Sequence, residues 1–161
     1  MKNKKSQLQA ESFYAVKWNA GVLTLLDQRK LPNEVIYHDY GSALGVADAI
    51  SKMVVRGAPA IGIAAAYAVV LAARSAYQDS SSNWRNNIEE VLDVLSTARP
   101  TAVNLNWAIS KMREKFETIK GNPETDLLNL AIKIHHDDIV ANYEMGRLGA
   151  ELIEPDSKVI T

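Results

Sequence analysis

The chain has 161 residues, 47% of them hydrophobic, a formal net charge of −1 and no cysteine. That apolar content supports a packed core and argues against wholesale disorder. The near-neutral charge leaves no electrostatic footprint for nucleic acid, and the missing cysteines exclude disulfides and a thiol nucleophile within these residues.

The length fits one domain, or one and a small piece of another. Residues 1–12 are polar and lysine-bearing. They read as a flexible N-terminus and lack the apolar stretch of a secretory signal. Tyr14–Trp18 and Val22–Leu26 flank Asn19-Ala20-Gly21 and predict a hairpin, with Gly21 supplying positive φ. A third strand is expected over Glu34–Tyr37, set off by Pro32 and Asn33. After Gly41 the apolar period becomes helical. Ser42 caps a helix carrying Val46, Ile50 and Met53 on one face.

Pro59 suits the first turn of the next helix, about Ala60–Ala76, which is apolar on nearly every face and so central to a bundle. Its apolar run, Ala58–Ala73, falls short of the ~20 residues of a membrane span, so it reads as a buried helix and no membrane partner is expected. Asn83 is a candidate cap for a third helix marked by Ile88, Val91, Leu92 and Leu95. Thr101 opens a fourth, with Leu105, Ile109, Met112, Phe116 and Ile119 as its stripe, broken at Gly121-Asn122-Pro123. A last helix, about Glu124–Ile153, carries Leu127, Ala131, Ile134, Ala141, Met145, Leu148 and Leu152. Then Lys158–Thr161 begins a β-branched run that has no ladder partner in a helical region. A long helix running into such a run is how an α/β unit begins. The expected class is α+β. A small antiparallel sheet and a helical bundle occupy residues 13–123, a connecting helix 124–154, and the first strand of a truncated second domain 155–161.

Two places share one design. In Val55-Arg56-Gly57-Ala58-Pro59, an arginine and a glycine precede a proline that starts a helix. In Ala98-Arg99-Pro100-Thr101, an arginine precedes Pro-Thr at another helix start. A helix N-terminus has unpaired N–H groups and a partial positive charge. A guanidinium beside it suits a phosphate, which arginine grips with two parallel hydrogen bonds. Gly57 and Ala58 would let a ligand approach the backbone. The same pattern also arises from ordinary helix starts with solvated arginines.

Leu23-Thr24-Leu25-Leu26-Asp27-Gln28-Arg29 with Leu31-Pro32, then Met53–Gly62, then Arg99–Leu105 with Trp107-Ala108, resemble the methylthioribose-1-phosphate isomerases in residues, order and spacing. The resemblance runs from about Trp18 to Thr161. It implies a sheet-and-helix domain followed by a Rossmann-like domain. It implies an aldose–ketose isomerase of methionine salvage, converting 5-methylthioribose 1-phosphate to 5-methylthioribulose 1-phosphate. It implies a cytoplasmic enzyme, homodimeric at full length and without a cofactor. It gives substrate-phosphate binding to Arg56, Gly57, Ala58 and Arg99, with Pro59, Pro100 and Thr101 shaping the turns. The family's catalytic cysteine and aspartate lie in the second domain, and neither carries over to a position here. These 161 residues alone are therefore expected to be inactive. The regulatory subunits of the translation-initiation guanine-nucleotide-exchange factor and the ribose-1,5-bisphosphate isomerases share the Arg-Pro-Thr element more loosely, and the Arg56–Pro59 motif argues against the initiation-factor branch. A non-catalytic fragment is the other alternative.

Other features invite plainer readings. In His135-His136-Asp137-Asp138, His135 and Asp138 share a helical face, short of the three or four converging ligands of a metal site, so no metal is expected. Asp138 falls on the apolar stripe and is expected to be buried and hydrogen-bonded. Asp27-Gln28-Arg29 reads as a structural ion pair or turn, and Trp18, Trp84 and Trp107 as core or interface residues.

Overall fold

The computed structural model describes residues 13–154 and 156–158. The polar start 1–12 and residues 159–161 of the final β-branched run lie outside them. Three antiparallel strands, β1 (Val16–Asn19), β2 (Val22–Leu26) and β3 (Tyr37–Tyr40), pair in the order β1-β2-β3. Ala20 and Gly21 both hold positive φ, 46° and 85°. That is the two-residue hairpin turn whose twist matches its strands. Arg74 locks the hairpin down: it donates to the Gly21 carbonyl at 2.9 Å and to Glu124 at 2.7 Å. A side chain at position 21 would run into that guanidinium, 3.0 Å away.

The third strand lies three residues later than the sequence suggests. Register explains the shift. A strand exists only where it has a ladder partner, and Leu23–Leu26 of β2 pair with Tyr40–Tyr37. The Asp27 N–H takes the Ile36 carbonyl at 2.8 Å, while Glu34 and Val35 lie exposed beyond the end of β2.

Six helices follow: α1 (Ala43–Ser51), α2 (Ala58–Asp79), α3 (Trp84–Asn87), α4 (Glu89–Thr97), α5 (Val103–Phe116) and α6 (Glu124–Ala150). The Ser42 hydroxyl accepts from Gly45 N–H at 3.2 Å, as a cap should. Helix α2 is the hub, packed by α1, α3, α4, α5, α6 and the sheet. At 22 residues it exceeds the expected span and is long and apolar enough to cross a membrane. Of its most apolar 18-residue window, 78% is buried within this fold. Its alanines let the neighbouring helices approach from every side, so Val46, Ile50, Leu92, Leu95, Leu105, Met112 and Leu127 close one core around it.

Other details depart from the sequence reading. The third helix is two, α3 and α4, joined at buried Ile88, and Asn83 makes no side-chain cap. Met53 has left the helical stripe: its φ is 60° and it is exposed. Ile119 is buried but lies past the end of α5, where Arg85 caps the last carbonyls, donating to Phe116 O at 2.9 Å and Ile119 O at 2.7 Å. In α6 only Leu127 and Ala131 are fully buried. Met145, Leu148 and Leu152 of the expected stripe are exposed, because no described residue packs on them.

Candidate functional site

The Arg56 turn is built by the end of α1. Val54 N–H closes on Ala49 O at 2.9 Å and Met53 N–H on Ile50 O at 3.1 Å. This is the double bond pattern of a left-handed helix stop, with Met53 in the place glycine usually takes. Val54 and Val55 are then buried, pulling the chain into the core, and Arg56 is turned out to solvent. Gly57 follows with φ 88° and ψ 133°, a conformation that side-chain residues avoid. A Cβ there would meet nothing within 4 Å, so the demand is conformational and the space outside it is open.

The Arg99 turn is built differently. Ala102 N–H bonds Arg99 O at 2.9 Å, making a tight turn with Pro100 second, the place its fixed φ suits. Thr101 stays in this turn rather than opening the helix, which begins at Val103. Arg99 is half-buried and Thr101 exposed.

Neither α2 nor α5 has a side-chain cap on its first turn. The N–H groups there are the unpaired donors that an anion could take up. The two helix starts also meet. A Cβ on Gly62 would lie 3.0 Å from the Asn104 carbonyl oxygen and 3.3 Å from the Asn104 Cβ. Position 62 is four residues into α2, about 6 Å along its axis at 1.5 Å per residue, and Asn104 is the second residue of α5. Gly62 therefore lets the second motif's helix come alongside α2. Arg56 Nε turns back to Met53 O at 3.4 Å, and among the described residues neither Arg56 nor Arg99 forms an ion pair.

Two grooves border Pro59. One, of about 510 Å³, runs between α2, α5 and α6 past Gly62, Asn104, Trp107, Lys111 and Lys133. The other, of about 420 Å³, is lined by Gly57, Ala60, His135, Asp138 and Asn142. Spacing gave no reason to aim His135 or Asp138 at the Arg56 motif, yet both flank the same groove as Gly57. The missing signal is tertiary: α6 packs along α2, and only that contact brings residues more than 70 positions apart together. Asp138 is half-buried, not buried as expected. Tyr67 Oη stands 3.2 Å from His135 Nδ1. Burial pushes the Tyr67 phenol up to about 12, and burial lowers the His135 pKa with Asp138 opposing. Both groups are therefore neutral at pH 7. Trp18 stacks on Tyr67, Trp84 is core, and Trp107 is exposed at the larger groove.

Asp27 is the one buried charged side chain among the described residues. Arg29 donates to both its oxygens, at 2.8 and 2.7 Å, and His38 Nε2 lies at 3.2 Å. The Arg29 contacts hold the carboxyl well below its ordinary range despite burial. This is the structural ion pair the sequence suggests.

Sheet and bundle define an α+β domain in which two uncapped helix starts lie side by side. A family profile described as the initiation factor 2 subunit family matches residues 54–161, and the chain belongs to that family. It is 51% identical over 147 residues to a methylthioribose-1-phosphate isomerase of Methylococcus capsulatus, covering 91% of this chain and 42% of that protein. It is 50% identical to the protein of that name in Stutzerimonas stutzeri, covering 91% and 41%. Among solved structures it resembles 5-methylthioribose 1-phosphate isomerase from Pyrococcus horikoshii OT3, with a TM-score of 0.79 and 33% identity, over 89% of this chain and 41% of that one. It also resembles translation initiation factor eIF-2B subunit delta from A. fulgidus, with a TM-score of 0.82 and 34% identity, over 90% and 43%. The chain spans about two fifths of the length of these relatives.

Proposed function

We propose that this chain is the phosphate-gripping part of a methylthioribose-1-phosphate isomerase. Residues 13–123 form its N-terminal domain, 124–154 the connecting helix, and 155–161 the start of a Rossmann-like domain. The observation that carries the reading is the roughly 50% identity to proteins of that name over nine tenths of this chain. The solved isomerase and initiation-factor structures match about equally, at 33% and 34% identity, and the Arg56–Pro59 motif favours the isomerase branch.

In this reading the substrate phosphate lies across the two uncapped helix starts. Arg56 and the Gly57–Ala58 backbone hold it on one side and Arg99 on the other, with Pro59, Pro100 and Thr101 fixing the turns. The phosphate sits on the anomeric oxygen, so the sugar cannot open as a free hemiacetal does. An acid must help open the ring, and hydrogen then moves between C2 and C1. The arginines stay protonated and cannot act as bases. The resemblance to the isomerases places the acid–base pair in the second domain, and in this reading the present chain contributes binding and orientation. The full-length protein is read as a cytoplasmic homodimer without a cofactor.

The test is an isomerase assay with 5-methylthioribose 1-phosphate. Full-length gene product should turn it over, and its Arg56→Ala variant should lose affinity more than kcat. The purified 161-residue chain should be inert. Turnover by that short chain above a host-contaminant control would show that the catalytic groups lie within it, and an inert full-length product would end the isomerase reading.

A further inference from the structure

The Arg56 turn has a second support, from outside its own helix. Gln28, just past β2, bonds it twice. Its backbone N–H donates to Val54 O at 2.9 Å, and its side-chain Nε2 donates to Arg56 O at 3.3 Å. The second bond matters because the Arg56 carbonyl and the Gly57 N–H belong to one planar, trans peptide, so they point in opposite directions. Pinning the carbonyl toward Gln28 fixes the Gly57 N–H on the far side. Glycine at positive φ supplies no preference of its own to hold that peptide in place.

Gln28 is itself held firmly. On one side the Asp27 N–H bonds Ile36 O at 2.8 Å, and its carboxylate is clamped by Arg29, whose backbone N–H adds a bond at 3.1 Å. Lys30 N–H closes the turn on Asp27 O at 3.1 Å. The Asp27–Arg29 pair, with its carboxylate buried and its guanidinium exposed, thus anchors a strut that ends on the peptide preceding the helix start.

We propose that Gln28 is a positioning residue for the anion grip at Arg56–Ala58: it sets the orientation of the Arg56–Gly57 peptide. The proposal rests on the phosphate reading above. It is tested on the 15N-labelled 161-residue chain and its Gln28→Ala variant, which keeps the backbone bond to Val54 and should stay folded, melting no more than a few degrees below the parent. One readout is ps–ns backbone order at Arg56, Gly57 and Ala58. The other is the Kd for inorganic phosphate from amide shifts.

The expected result is lower order at those three residues, unchanged order at Arg99–Ala102, and a Kd raised about threefold to tenfold, the range of one lost neutral hydrogen bond. Unchanged order at Gly57 would overturn the proposal whatever phosphate does. So would lowered order with an unchanged Kd. If phosphate shifts no amide of the parent chain, the phosphate reading fails and the positioning role falls with it, a result told apart from the others by the parent alone.

Discussion

The two arginine turns share one sequence design and are built in opposite ways. The Arg99 turn is local: a proline in the second place of a tight turn and a single bond from Ala102 N–H to Arg99 O. The Arg56 turn is assembled from three regions. A left-handed stop at Met53 ends α1, two buried valines dive into the core, and Gln28 reaches across from the sheet. A local turn tolerates change elsewhere in the fold. The Arg56 turn depends on β2 and on the Asp27–Arg29 pair, so its geometry is linked to the stability of the sheet.

That difference sets the order of expected effects. Gly57→Val should cost the most, roughly 3 kcal/mol, since a β-branched residue cannot adopt φ 88° without strain. Urea unfolding measures it, and a loss below about 1 kcal/mol would show that the turn relaxes freely.

Next, Arg56→Ala should weaken inorganic phosphate binding by about 1.5–3 kcal/mol, the range for hydrogen bonds to a charged group. Arg99→Ala should do the same if both turns serve one anion. Titration calorimetry on the two variants and the double variant tests this. Two binding events, each weakened by only one of the variants, would show two separate sites.

Asp27→Asn should cost about 2 kcal/mol by removing the charge Arg29 grips, and should loosen Arg56 without touching Arg99. The pH dependence follows from the same pair. The Asp27 pKa is lowered in the fold from an ordinary 3.8, so its contribution is complete above that value. It is lost as pH falls toward the depressed folded value, because the unfolded chain takes up the proton first. The Asn variant should show a flatter acid limb in unfolding experiments, and equal limbs would show that Asp27 does not govern acid stability.

The smallest effect is Pro100→Ala, about 0.5 kcal/mol, mainly through the freedom regained by the unfolded chain. Thermal melts would read it as a shift of about 1–2 °C. A loss near that of Gly57→Val would erase the contrast between the turns.

The sequence by itself determined the kind of each element: the hairpin at Gly21, the Ser42 cap, the α2 hub and the two Arg-Pro helix starts. These depend on periodicity, turn chemistry and proline geometry, which act over a few residues. The Arg56 and Arg99 motifs were visible for the same reason. Only the tertiary structure decided where β3 lies, since a strand's extent belongs to its partner. Only it showed that Met53 leaves its helix, that Gly62 seats α5 against α2, and that His135 and Asp138 share a groove with Gly57. It alone revealed the tie from Gln28 to Arg56, because a hydrogen bond across 28 positions leaves no period or spacing in the chain. Contacts of that kind depend on which surfaces the packing around α2 brings face to face.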